Sequence, residues 1–170
     1  MSEFLSLAQR RRSIRHYTNQ PVEREKTEQM LQAALMSPSA KRLRPWQFVV
    51  VEDKQVIERL AACKQYGSQM LLEAPLAIVV AVDASLTDTW QCDAAIAAEH
   101  LLLAAEDLGL GACWVHVCER ENAEQTVREL TGIPDSLRVL CIISVGYKNE
   151  ERRIYELDKL PYEKIHYGKY

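Results

Sequence analysis

The chain has 170 residues, of which 48% are hydrophobic, 26% charged and 7% aromatic, and its formal net charge is −3. Those values describe one soluble domain, residues 1–170, large enough to bury a core without disulfides or a metal, and they argue against a general nucleic-acid binder. The first dozen residues lack the apolar core of a signal peptide and no apolar run is fit to span a bilayer, so the expected setting is cytoplasmic, with no membrane partner.

Ser2 is placed to cap a short helix with apolar positions Phe4, Leu5, Leu7 and Ala8, which runs into a dense cationic turn, Arg10-Arg11-Arg12-Ser13-Ile14-Arg15-His16-Tyr17. A second helix is expected over 23–36, behind Pro21 and Val22, with Met30, Leu31, Ala34 and Leu35 turned inward. Residues 37–45 form a loop bounded by prolines, and 46–52 a strand whose Val49, Val50 and Val51 are buried on both faces. Asp53 caps a helix to about residue 63, and a shorter helical piece near 69–73 stops at Pro75. An apolar strand covers 76–82. A long helix follows at 93–108, with Asp93, Glu99, His100, Glu106 and Asp107 gathered on one side, alanine, leucine or isoleucine elsewhere, and Gly109 as its cap. Its apolar arc is wider than a surface helix needs, which in a chain of this length points to a subunit interface. Strands at 112–118 and 138–146 flank a helix capped by Asn122 and closed by Gly132, with Pro134 behind it. Alternating strands and helices make the chain α/β, with a sheet covered on both faces. Residues 148–170 are charged but carry too many aromatics for a disordered tail, and are expected to lie against something, such as a partner subunit.

The chemistry-bearing residues are few. Four guanidinium groups and the Ser13 hydroxyl within two turns match the oxygens of a phosphate monoester, although a solvated basic helix end or a short address signal would look the same. In the loop at 38–46, small residues and prolines expose backbone N–H groups while Lys41, Arg42 and Arg44 add charge beside Trp46. That suits a planar, partly anionic ligand; an ordinary crossover with its charges in water is the alternative. Cys113, His116 and Cys118 invite a metal, but strand alternation sends Trp114, His116 and Cys118 to one side and Cys113 to the other, so no metal site is expected. Gly109-Leu110-Gly111 follows a helix and leads into a strand, the reverse of a dinucleotide fingerprint. His100 fits an interface hydrogen bond better than a general base, and Asp93 fits helix-end chemistry better than catalysis. The five cysteines read as buried reduced thiols, with no activating partner for Cys63 or Cys92. Groups that bind anions and rings, without a catalytic constellation, point to a bound cofactor that carries the chemistry.

Arg11-Arg12-Ser13-Ile14-Arg15 resembles the Arg-Arg-Ser-x-Arg opening of the nitroreductase family of FMN-dependent oxidoreductases. Ser37-Pro38-Ser39-Ala40, with Pro45-Trp46 and Phe48 behind it, is similar to that family's second motif. Ala74-Pro75 before an apolar strand, the Asp93-Ala94-Ala95 helix with Leu101-Leu102-Leu103-Ala104-Ala105, Leu108-Gly109-Leu110-Gly111 with Cys113-Trp114, and Gly146-Tyr147 follow in the same order. Lys159-Leu160-Pro161-Tyr162-Glu163-Lys164-Ile165-His166 looks like the ending of the family's shorter branch.

The resemblance implies a nitroreductase-like α+β fold, a central mixed sheet flanked by helices, in an entwined homodimer with the C-terminal tail exchanged and two FMN sites at the interface. It implies that Arg11, Arg12, Ser13, Arg15 and Lys159 grip the phosphate and the uracil-side edge of the flavin. Pro38, Ser39, Ala40 and Arg42 would reach FMN held mainly by the partner chain, and Trp114, Val115 and His116 would lie by the ring, close to N5. FMN would carry the chemistry, with no catalytic side chain. NADH or NADPH would supply electrons, and a nitroaromatic, quinone or similar flat small molecule would accept them in ping-pong order. Two positions depart from the family pattern. Arg42 and Arg44 stand where amides are common, and arginine only donates hydrogen bonds; Arg42 either faces a carbonyl oxygen or the charge developing at N1, or swings away to an acidic substrate. His100 stands where asparagine is common. A non-catalytic FMN-binding storage or sensor protein is the alternative to an enzyme.

Overall fold

The computed structural model describes residues 1–120 and 122–170. At its centre four strands, β1 (Trp46–Val51), β2 (Leu76–Val82), β3 (Gly111–His116) and β4 (Arg138–Gly146), lie in the order β1-β2-β4-β3. Every neighbouring pair is antiparallel. β2 and β3 therefore run the same way, joined across the sheet by the long helix α4 (Trp90–Asp107), and β4 slots between them in the opposite sense. Alternation of strand and helix did not produce parallel neighbours because the place beside β2 is taken by a strand that comes later in the chain. The mixed character expected of the sheet is confined, among the described residues, to an isolated parallel bridge between Ser13 and Ala112, which lays the cationic turn on the outer edge of β3. The class is α+β, a sheet flanked by helices.

Strand alternation divides the core in two. Leu76, Ile78, Val80 and Val82 of β2 face α4 and α2 (Arg24–Leu35), while Ala77, Val79 and Ala81 face α3 (Lys54–Ala61) and α5 (Ala123–Thr131). All seven β2 residues are buried, as expected of a continuous apolar run. Local signals set the element ends. Ser2 Oγ accepts the Leu5 N–H at 3.2 Å to cap α1 (Glu3–Arg10), Asp53 Oδ1 accepts the Gln55 N–H at 2.8 Å to cap α3, and Gly132, at φ 70°, closes α5. The short piece before Pro75 is a 3-10 turn, Gln69–Leu72.

Several faces differ from expectation. β1 is an edge strand, so Val50 is 38% exposed and Val49 half-buried rather than covered on both sides. α2 buries Met30 and Ala34, but Leu35 points outward, and α1 buries none of its residues. α4 starts a turn earlier than its alanine pattern and buries one face through Ala94, Ala98, Leu101 and Ala105, leaving Cys92, Ile96 and Glu99 exposed. Cys92 is thus the one cysteine outside the core. The tail first docks on its own chain, where the Tyr155 N–H donates to the Gln9 carbonyl at 3.1 Å and Gln9 Nε2 donates back at 2.7 Å. Beyond it Tyr162, Ile165, Tyr167 and Tyr170 stand exposed. Among the described residues no helix is long and apolar enough to cross a membrane.

Candidate functional site

The cationic turn is fixed from inside. Ile14, 2% exposed, donates its N–H to the Ala112 carbonyl at 3.0 Å, and the Tyr17 hydroxyl bonds the Ile14 carbonyl and Ser144. Burial pushes the Tyr17 phenol well above its ordinary pKa, so it stays a neutral strut. Glu150 accepts the N–H groups of both Arg15 and His16. Burial alone would raise the Glu150 carboxyl, but those two N–H donors and the nearby Arg152 hold it below the usual range. With the backbone so pinned, the side chains of Arg11, Arg12, Ser13 and Arg15 meet Arg152 and Tyr155 around a cavity of about 200 Å³. No carboxylate is among those lining residues. Arg12 lies 4.3 Å over the Tyr155 ring and donates to the Arg153 carbonyl at 2.8 Å. Four guanidinium groups and a hydroxyl, of which Arg152 is held from behind by Glu150 at 2.6 Å, make a donor set suited to a phosphate monoester.

The loop of the second motif sits elsewhere. Ala40 donates its N–H to Asp93 Oδ1 at 2.9 Å, and the Arg44 N–H to Ser39 Oγ at 3.0 Å. Asp93, 3% exposed, is therefore the anchor of this loop. Lys41, Arg42 and Arg44 all adopt φ between 49° and 60° without being glycine, each at a cost on the order of 1 kcal/mol. Pro38 and Arg42 are exposed, and Ser39 and Ala40 are half-buried. Arg11 Nε lies 4.0 Å from Glu99 of the same helix that carries Asp93 in its first turn, about 9 Å further along its axis. Within one chain the loop and the cationic turn thus meet α4 at different levels, and among the described residues no loop side chain lines the cavity at the turn. Lys159 also stands apart, paired with Glu156 of its own 3-10 turn. His100 Nδ1 is 2.9 Å from the Ile96 carbonyl of its own helix.

At the other end of β3, the rings of Trp114 and His116 stack with centroids 6.4 Å apart. Because the Ala112 carbonyl turns outward to Ile14, strand alternation turns the backbone groups of Trp114 and His116 outward too, onto an edge with no further strand. Lys64 Nζ uses that exposure, donating to the His116 carbonyl at 2.8 Å. The side chain of Val115 packs on the α3 and α5 side. A second cavity, of about 470 Å³, opens here between Lys64, Gln65, Tyr66, His116, Glu119 and Arg120. Burial first, then the charges of Arg120 and Lys64, hold the His116 imidazole below its ordinary pKa. Sequence reasoning missed this cavity and the contributions of Arg152 and Tyr155. The signals available were an aromatic beside a glycine at 66–67 and a charged pair directly after a strand at 119–120.

The sequence model of the nitroreductase family matches residues 8–65 and 62–147, which span the cationic turn, the strained loop and all four strands. The chain belongs to the nitroreductase family. An Archaeoglobus fulgidus protein provisionally named NADH dehydrogenase/NAD(P)H nitroreductase is 40% identical to this family member over 162 residues, 93% of this chain and 92% of its own length. The solved FMN-dependent nitroreductase of Clostridium difficile R20291 superposes with a TM-score of 0.95 at 41% identity, covering 98% of this chain and 99% of that one. The NADPH:FMN oxidoreductase of Vibrio harveyi, solved with NAD+, superposes at 0.82 with 25% identity, covering 99% of this chain and 78% of its own. This nitroreductase-family chain is accordingly an oxidoreductase, and its tail, beyond the reach of the family match, has a counterpart in the Clostridium structure.

Proposed function

We propose that residues 1–170 form one FMN-binding unit of a cytoplasmic homodimer that passes electrons from NADH or NADPH to a nitroaromatic, a quinone or a similar flat small molecule. The observation that carries this is the carboxylate-free cavity of Arg11, Arg12, Ser13, Arg15 and Arg152, pinned to one end of β3 and suited to a phosphate monoester. Along that strand, from the Ser13 bridge at Ala112 to His116, is about 14 Å, a span fit for an elongated phosphorylated cofactor. FMN, once bound, would supply the redox chemistry that links the nicotinamide nucleotide to the acceptor, the two visiting the site in turn in ping-pong order.

The chain's own residues then have defined tasks. The guanidinium groups hold the phosphate and need no proton exchange, since arginine stays charged at any working pH. The outward N–H of Trp114 would donate to the ring near N5, with the stacked Trp114 and His116 side chains beside it. Positive charge from Arg15, and from Arg42 of a second copy, favours negative charge developing on the pyrimidine edge. A second copy also fits the exposed apolar residues Phe4, Leu5, Leu35, Ile96 and Ile165, and gives Lys159 and the 38–42 loop a site to reach. The test is anaerobic: NADH or NADPH should bleach the bound flavin's absorbance, and an added quinone should restore it. A bound flavin that neither nucleotide bleaches would support the storage or sensor alternative instead.

A further inference from the structure

The 470 Å³ cavity at the far end of β3 is separate from both the phosphate-binding turn and the 38–44 loop, and the reading above gives its lining cations no task. We propose that this cavity receives the electron acceptor and selects one that carries a carboxylate or comparable anion on its ring. The proposal rests on the preceding reading, which sets the flavin beside Trp114 and His116, because the cavity touches β3 at His116 itself.

Lys64 and Arg120 face the cavity against the single carboxylate of Glu119, and Gln91 Nε2 already approaches Glu119 Oε1 at 3.4 Å. Among the described residues neither cation has a carboxylate within ion-pair distance, whereas Arg10, Arg11, Lys148 and Arg152 around the cationic turn do. Lys64 is half-buried and spends one donor on a neutral carbonyl, so its charge lacks a protein counter-ion. The field at His116 agrees, since both cations act on its imidazole. Tyr66 is 76% exposed and stands beside Gly67, whose φ of 79° turns the chain, so a free aromatic face joins His116 in the lining of the opening. A flat ring fits such a rim, and its anionic group would reach Arg120 and Lys64.

The probe pair is 4-nitrobenzoate and 4-nitrobenzamide, alike in shape and differing in charge. The reaction in either case is R–NO2 + NAD(P)H + H+ giving R–NO + NAD(P)+ + H2O, with a hydride's two electrons leaving the nicotinamide and one nitro oxygen leaving as water. On the holoenzyme, kcat/KM for the benzoate should exceed that for the benzamide by roughly three- to tenfold, and the ratio should fall toward one at high salt. Arg120→Gln should lower the ratio with the benzamide rate and the flavin content unchanged, since Arg120 is exposed and its replacement leaves folding intact; Lys64→Gln should lower the ratio as well, beside whatever loosening of the His116 carbonyl it brings. Equilibrium dialysis of 4-nitrobenzoate without nicotinamide should show the same loss of binding. Equal kcat/KM for the two probes, or a ratio indifferent to both variants, overturns the proposal. So does a rise in the KM for NADH or NADPH with the ratio unchanged, which would assign the cavity to the dinucleotide's phosphates. A protein without flavin would refute the preceding reading, and the dialysis arm would still decide whether the cavity prefers the carboxylate.

Discussion

A methyl group on Gly111 would sit 2.7 Å from Ile14 Cγ2, and Ile14 is buried with nowhere to retreat. The cationic turn therefore reaches β3 through that glycine, and Gly111→Ala should destabilise the fold by about 1–3 kcal/mol. Urea denaturation should show the lowered midpoint, and an FMN titration of the folded variant should show weakened binding because Arg11 to Arg15 move with Ile14. Arg42 offers a cleaner electrostatic test. Its φ of 60° is one that asparagine tolerates, so Arg42→Asn removes charge while the backbone is kept. If Arg42 faces the pyrimidine edge, the flavin's reduction potential should fall in a spectroelectrochemical titration; no change or a rise would place it elsewhere. Arg11, Arg12, Ser13 and Arg15 were legible in the sequence because they are contiguous. Arg152 was not, since nothing within a charged run says which arginine folds back, and Glu150 selects it only once the turn's N–H groups are in place.

At the scale of elements, the buried run of β2 and the strand at 138–146 could be read to the residue, because burial on both faces leaves an unbroken apolar signal. β1 carries nearly the same valines at the sheet edge, and edge position depends on strand order, which local composition does not encode. The expected covering of the sheet held on the two inner strands for the same reason. α5 is stapled to β4 by Glu124, which accepts from Arg138 Nε at 2.7 Å and from the Val139 N–H at 3.0 Å. Burial opposes ionisation there, yet those donors and the charges of Arg138 and Arg128 hold the Glu124 carboxyl below its ordinary pKa. A depressed carboxylate stabilises the fold above its unfolded value and loses that contribution as pH falls through the folded one. Glu124→Gln should thus cost on the order of 1–2 kcal/mol at pH 7 and flatten the loss of stability below about pH 4.3, measured by thermal melts across pH.

Across the whole molecule, the strained loop meets α4 at Asp93, the cationic turn meets it at Glu99, and Lys159 of the tail pairs with its own neighbour Glu156; the proposed homodimer is what would unite them. The inner face of α4 is filled by α2 and the sheet, so a subunit interface on this helix, as expected from its sequence, would use its outer stripe through Cys92, Ile96 and Glu99. Removing residues 157–170 should weaken self-association, read by sedimentation equilibrium, and lower flavin content with it; an unchanged dimer would show that the tail's exposed tyrosines have another role. The central claim is that the arginine-lined cavity holds the cofactor by its phosphate, and the most direct measurement is the affinity of the flavin-free protein for FMN against riboflavin, which lacks only that group. Charge-assisted contacts from several guanidinium groups should make FMN bind tighter by on the order of 100-fold, with most of the gain lost in Arg12→Ala. Equal affinity for the two flavins, or no binding of either, would contradict the account.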